Sequence, residues 1–398
     1  MLTFASHAGA LPASETLAIT ARAKEMRAKG IDVAPFAAGE PDFDTPEHVK
    51  AAAIRALHEG KTKYAPAAGI APLREAVAAR FRENGYDDLK AEDTIVGPGA
   101  KGVLYLALQV IVAGGDEVVI PTPAWLSYDK MVIAAGGRPV FVPTRPEEGY
   151  RIDPERVRAA ITPRKRAIVL NSPGNPTGAV QPDEVQAAIG RIAAEKKVFV
   201  ISDEIYEHMV YAPATFRSFA KLAPEARPYT LLVNGVSKAF AMTGWRIGYG
   251  GGPKDLVQRM TRLQSHATSG TPEFCQVGAL AALEGPTDSL RAMAATFQRR
   301  RDVMDEGLRR IPGLRYRKPD GAFYLFPDVS AYLGRSYRGT KVKDVSTLGQ
   351  LTIEHAHAAV VPGDVFEAPF AIRFSYACSE DHIRRGCERV AKLFAELS

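Results

Sequence analysis

The feature that most constrains this chain is a repeat of short apolar segments alternating with helical ones, beginning at residue 95. Ile95-Val96, Glu117 to Pro121, Arg138 to Val142, Ala167 to Leu170, Val198 to Ser202 and Leu231 to Val233 read as buried strands. Helical patterns lie between most of them, for example over 183–195. Such alternation predicts an α/β fold, with a largely parallel sheet covered on both faces. Ligands of such sheets bind in the loops that follow the carboxyl ends of the strands.

The flanks read differently. Residues 14–29 predict a helix, with Ser14 as cap, Ile19, Ala23 and Met26 on one face and Gly30 as terminator. A loop rich in turn formers covers 37–46, and Thr45 is expected to cap a helix that has Pro46 at its first position and runs to Gly60. Residues 61–69 are a second loop, and 71–84 a further helix. After about residue 285 a long helix is expected over 287–310, then strands at Leu314 to Arg317 and Ala322 to Phe326 around a turn at Pro319-Asp320-Gly321. A helix near 347–357, strands at 359–361 and 371–376 and a final helix from Ser379 follow. The expected division is a large domain over 46–285 and a smaller α+β domain formed by 286–398 with the N-terminal segment 1–45.

Composition excludes several classes. The chain has 398 residues, 46% hydrophobic and 24% charged, the range of a soluble globular protein. It has no apolar run long enough to span a membrane, and the start lacks the basic and apolar pattern of a secretory signal. Cys275, Cys378 and Cys387 are few and widely spaced, which fits a reducing cytoplasm and gives neither a disulfide framework nor a metal cluster. The net charge of +6 is modest for this length. Arg299-Arg300-Arg301 and Arg384-Arg385 fall on helical patterns and read as solvated faces, which disfavours nucleic-acid binding.

The loops after the strands hold the chemistry. Lys238 sits among Val236, Ala239, Phe240 and Ala241. Burial lowers a lysine pKa, and a neutral amine attacks aldehydes. Arg246, eight residues on, offers a planar fork for a phosphate. Together they suggest a phosphorylated aldehyde cofactor, pyridoxal phosphate, although a surface lysine on a turn fits this stretch equally well. Gly99-Ala100-Lys101 opens a helix where backbone amides could meet an anion, or is an ordinary turn. Asn171-Ser172-Pro173-Gly174-Asn175-Pro176-Thr177-Gly178 carries two prolines and two glycines, a constraint suited to holding the Asn175 amide still. Asp203, at the end of an apolar strand, needs a cationic partner such as a pyridinium nitrogen, or else caps a helix. Tyr206 lies within reach of the same ring, or simply packs. Trp125 offers a flat face for stacking, or is a core residue.

With these motifs on view, the chain resembles the class I pyridoxal-phosphate-dependent aminotransferases of fold type I. It is similar above all to the bacterial aspartate aminotransferases related to thermophilic enzymes. The likeness runs from Ser14 to about Ala395 and rests on 39–46, Lys61 to Pro66, Asn175-Pro176-Thr177-Gly178, Ser202 to Tyr206, and Ser237-Lys238 with Gly244-Trp245-Arg246-Ile247-Gly248-Tyr249. The resemblance implies that Lys238 joins the cofactor and carries the proton, and that Asp203 pairs with the ring nitrogen. Tyr206 and Asn175 would contact the ring oxygen, and Trp125 would stack on the ring. Arg246 and the amides of Gly99, Ala100 and Lys101 would hold the phosphate, joined by Tyr64 from the partner subunit of a homodimer. Arg373 would clamp the substrate α-carboxylate, assisted by the backbone of Gly39 and by Asn175. Many relatives have a serine three residues before the lysine; Gly235 stands there, and Ser237 is a candidate substitute. Lys101 and Thr16 match residues that bind a distal carboxylate, which implies aspartate as donor and 2-oxoglutarate as acceptor. Pro12 stands where a basic residue accompanies prephenate turnover, so little of that activity is expected. The alternatives are an aminotransferase for aromatic or other neutral amino acids, or a carbon–sulfur lyase on the same scaffold.

Overall fold

The computed structural model describes Gly9 and residues 15–398, with the backbone alone at 15–17. The expected cap at Ser14 and the substrate argument at Pro12 lie outside the described residues. A seven-stranded sheet forms the centre, from β1 (Thr94–Pro98), β2 (Glu117–Thr122), β3 (Arg138–Pro143), β4 (Lys165–Asn171), β5 (Phe199–Asp203), β6 (Thr230–Gly235) and β7 (Ile247–Gly251). Its order is β1-β7-β6-β5-β4-β2-β3. β7 runs antiparallel to both neighbours, and the remaining pairs are parallel.

β7 has no counterpart among the expected strands. Its sequence, Ile-Gly-Tyr-Gly-Gly, lacks the β-branched run that marks the others, and glycine weakens a strand signal. Packing explains one of these glycines. A Cβ at Gly248 would lie 2.0 Å from the Ala100 nitrogen, so only glycine lets β7 abut the helix Gly99–Ile111.

Successive residues of each strand feed opposite layers. Val118 and Ile120 face a core shared with Leu104, Leu108, Val257 and Met260, while Val119 faces one shared with Phe81, Val185, Ile189 and Ala279. Helices therefore cover both faces, as the apolar strands require. Each buried Val, Leu or Ile contributes about 1.5–3 kcal/mol relative to exposure.

The C-terminal third packs a second, smaller sheet. β8 (Tyr324–Leu325), β11 (Val361–Pro362) and β12 (Ile372–Ser375) form it in the order β11-β12-β8, apart from a hairpin of β9 (Ser336–Tyr337) and β10 (Thr340–Lys341). Helices Asp288–Arg309, Val345–His355 and Glu380–Ala395 back it. Its core takes in Tyr206 and Met209, which follow β5, so the two sheets share one apolar seam. The N-terminal segment joins the smaller unit: the Ala34 amide donates to His357 O at 2.8 Å and the Ser375 amide to Phe36 O at 2.8 Å. This strapping delivers Gly39 and Glu40 to the cleft between the units.

Three expectations need correction. Arg300 and Arg301 are buried rather than solvated. Arg300 grips both oxygens of Asp42 at 2.6 and 3.0 Å, and Arg301 donates to Pro319 O at 3.1 Å, because this face of the helix turns to other loops and not to water. Leu314 to Arg317 forms only an isolated bridge, Arg315 to Asp328. Thr45 does not cap a helix; its hydroxyl donates to Ala241 O at 2.9 Å and accepts from Trp245 Nε1 at 3.1 Å, tying loop to loop.

Candidate active site

The carboxyl ends of β1, β2, β4, β5 and β6 meet at one cleft. β1 leads into Gly99-Ala100-Lys101, β2 towards Trp125, β4 into the loop that holds Asn175, β5 ends on Asp203 and β6 runs into Lys238. Asp203 has the same strand parity as Ile201, so it emerges on the face that carries Trp125 and Tyr128.

Asp203 is fully enclosed. Its Oδ2 accepts from the Tyr128 hydroxyl at 2.7 Å and its Oδ1 from the Ile205 amide at 3.2 Å. Burial raises its carboxyl to about 6, against the pull of these donors and, least, of Lys238. No ion pair reaches it among the described residues, so it is a buried anion short of a cation.

Lys238 is half-buried in the cleft, and its Nζ donates to Gly39 O at 2.5 Å. Burial lowers its ammonium to about 8, with Glu40 opposing and Arg373 and Arg246 reinforcing the shift. A substantial neutral fraction is therefore present just above neutrality.

Arg373, on β12, is the converse of Asp203. It is 2% exposed, its guanidinium lies 4.4 Å from the Tyr324 ring centre and 5.1 Å from that of Phe366, and its Nε is unpartnered. It donates to Asn175 Oδ1 at 3.0 Å and to Ala37 O at 3.1 Å, and no carboxylate pairs with it among the described residues. A buried cation held only by neutral acceptors is prepared for an incoming anion.

Across the cleft, Arg246 donates to Thr243 O at 2.7 Å and to Pro98 O at 3.3 Å. Gly99, with φ of +80°, leaves room beneath it: a Cβ there would lie 2.4 Å from an Arg246 nitrogen. The first amides of the helix Gly99–Ile111 lack intrahelical partners and open beside that guanidinium. Gly235 also fits tightly, since a Cβ would meet Gly248 Cα at 3.0 Å. Ser237 is buried one residue before Lys238. Lys101 lies at the rim with its Nζ 4.8 Å from the Trp125 ring centre, and burial lowers its pKa.

The cleft thus gathers Gly39, Gly99, Ala100, Lys101, Trp125, Asn175, Asp203, Tyr206, Ser237, Lys238, Arg246 and Arg373. Tyr64 lies apart, 93% exposed, and Thr16 is described by its backbone alone, in the helix Glu15–Ala28. Sequence reasoning assigned nothing to Tyr128, which holds Asp203, or to Tyr324, whose hydroxyl lies 3.0 Å from that of Tyr206. It also passed over Glu40, which accepts from the Thr243 hydroxyl at 2.6 Å, and Asn171, whose Oδ1 takes the Asn175 amide at 2.9 Å.

Comparison with known proteins gives the family of the chain. Residues 31–390 match the family model of class I and II aminotransferases. The aspartate/prephenate aminotransferase of Thermus thermophilus is 46% identical over 387 residues, covering 96% of this chain and 97% of that protein. The crystal structure of the Rhizobium meliloti aspartate aminotransferase superposes with a TM-score of 0.95 at 41% identity, covering all of both chains. That of the Thermus thermophilus aspartate aminotransferase with maleate gives 0.92 at 45% identity, covering 99% of this chain and 100% of that one. The chain belongs to the class I and II aminotransferase family.

Proposed function

We propose that this aminotransferase moves the amino group of an L-amino acid, aspartate foremost, to 2-oxoglutarate with pyridoxal phosphate as cofactor. One observation carries the reading. Two buried charges of opposite sign, Asp203 and Arg373, have no counter-ion among the described residues and flank a lysine whose pKa is lowered to about 8. The donor set fits this cofactor and an amino-acid substrate: a protonated ring nitrogen supplies the cation Asp203 lacks, and a substrate α-carboxylate the anion Arg373 lacks. The nook that Gly99 opens under Arg246 suits the phosphate.

When bound, the cofactor supplies an aldehyde that joins amines reversibly and a ring that accepts the electrons of a carbanion. The chain's own groups do the rest. Lys238 Nζ holds and moves the proton, which its pKa near neutrality favours. Tyr206 and Asn175 address the ring oxygen, Trp125 gives the stacking face, and Arg246 with the amides of Gly99, Ala100 and Lys101 holds the phosphate. Ser237 would assist where Gly235 has no hydroxyl. Gly39 O must release Lys238 when the lysine takes up its task.

The aspartate assignment rests on Lys101, with Thr16, as the distal-carboxylate site. The Thermus relatives support it, one named an aspartate/prephenate aminotransferase and one solved with maleate, a dicarboxylate. We further propose a homodimer in which Tyr64 reaches the partner's site. Exposed Tyr64, Ile54, Leu57 and Tyr105 suit a covered face. Domains of 46–285 and of 1–45 with 286–398 complete the reading, as does a cytoplasmic location; no described helix is long and apolar enough to cross a membrane.

A half-reaction screen tests the proposal. The holoenzyme is mixed with single amino acids, or with prephenate after amination, and the visible absorbance of the aldehyde form is followed. Aspartate and glutamate should bleach it, prephenate should accept the amino group poorly, and a spectrum moved only by neutral amino acids would sink the dicarboxylate assignment.

A further inference from the structure

Between the two ends of the cleft stands a residue that neither end accounts for. Tyr324, on β8, is fully buried, with its hydroxyl 3.0 Å from the Tyr206 hydroxyl and its ring 4.4 Å beneath the Arg373 guanidinium. β8 pairs with β12, which sets Tyr324 opposite Ser375, two residues from Arg373. One side chain therefore touches both the residue offered to a substrate carboxylate and the residue offered to the cofactor's ring oxygen. We propose that Tyr324 is a positioning residue that couples Arg373 to Tyr206, so that filling the carboxylate site weakens Tyr206's hydrogen bond to the cofactor. The inference rests on the function proposed above.

The physical steps are local. Within the phenol pair either oxygen can donate, but only one order frees the Tyr206 proton for a third acceptor: Tyr324 donates to Tyr206. A cation over the ring face strengthens the Tyr324 O–H as a donor, and hydrogen bonds in a chain reinforce one another. The same cation opposes the rise that burial imposes on both phenols. Once an anion neutralises Arg373, the pull slackens along the chain and the cofactor retains its own proton to higher pH. The other charged or titratable groups facing this pair, among the described residues, are Asp203 and the Tyr128 phenol beside Tyr206, Lys238 over the neighbouring Phe323 ring at 5.9 Å, and the Tyr376 phenol. None of these touches both Arg373 and Tyr206.

The test is a pH titration of the holoenzyme's visible absorbance, with and without maleate as a non-reacting dicarboxylate. In the unaltered protein maleate should raise the midpoint. Tyr324→Phe keeps the ring under Arg373 and removes the hydroxyl. It should raise the unliganded midpoint by about half a pH unit and shrink the maleate-induced rise to about half, with maleate affinity within about twofold. Midpoints equal to those of the unaltered protein in both conditions overturn the coupling. If the Phe variant fails to fold, replacement of Tyr324 by 3-fluorotyrosine keeps every contact and sharpens the donor. The midpoint should then move down, and an unmoved one overturns the proposal equally. A protein that takes up no pyridoxal phosphate at all refutes the parent reading instead, and does so before any titration.

Discussion

Asp203 and Glu204 are adjacent acids, both buried at the end of β5, and they face opposite layers of the sheet. Glu204 turns into the closed side, where its Oε1 accepts from Ser202 at 3.0 Å, Ser218 at 3.0 Å and the Phe219 amide at 2.9 Å. Burial raises it to about 8, so it is mostly protonated at neutrality. Asp203, raised only to about 6, faces the cleft with Lys238 and remains mostly charged. Burial of an acid is common to both. What separates a candidate catalytic group from a structural one is the open side: an unpaired charge turned towards a reactive amine and a space for a ligand.

The sharpest way to break this comparison is to neutralise each acid in turn, with Lys238→Ala as the floor. That variant should lose at least about 10⁴-fold in kcat and still bind the cofactor. Asp203→Asn should lower kcat/KM by about 10³-fold, since the ring nitrogen loses its anion. Glu204→Gln, an amide in place of an already protonated acid, should stay within about threefold. Steady-state rates with aspartate and 2-oxoglutarate decide the matter; equal losses at 203 and 204 would erase the distinction drawn here.

A smaller effect separates the two by pH. Both acids have folded pKa values above their ordinary ones, so the fold favours their protonated forms. The resulting stability is complete below the ordinary carboxylate range and is lost as pH rises, through about 6 for Asp203 and about 8 for Glu204. For Asp203 the loss is on the order of 3 kcal/mol. The cofactor-free protein should therefore melt at falling temperature from pH 4 to about pH 8, above which the lowered Lys238 works in the opposite sense. Asp203→Asn should flatten the acidic part of that curve and Glu204→Gln the part that extends to pH 8. Differential scanning calorimetry across this range reads both, and a curve unchanged by either variant contradicts the burial argument.

These contrasts also show what the sequence could reveal. The parallel strands were legible because a sheet covered on both faces needs continuous apolar runs, and Asp203 because it terminates one. The burial of Glu204 was not, since an acid one position later looks alike on paper; its face is fixed by strand parity and by Ser218 and Phe219, fourteen and fifteen residues on. β7 was hidden by its glycines, which answer to Ala100 rather than to strand preference. Arg300 was misread because its partner, Asp42, lies 258 residues away. Tyr128 and Tyr324 were invisible for a related reason: a phenol in an apolar run looks like packing until the group its hydroxyl meets is known.

The rim of the cleft offers the smallest and most selective test. The walls around Asp203 and Arg373 are buried and already formed, whereas Lys101 stands at the rim with its ammonium over the face of Trp125. Walls of that kind govern whether the amino group moves; a rim cation governs whose side chain is welcome. Lys101→Ser should therefore lower kcat/KM for aspartate by about tenfold, mostly through KM, and leave a neutral amino acid nearly unaffected. A matched loss for both substrates would place Lys101 with the phosphate site instead, where its adjacency to Gly99 and Ala100 also puts it in reach. The ratio of the two kcat/KM changes, rather than either value, distinguishes a lysine that reads the substrate from one that merely holds the cofactor.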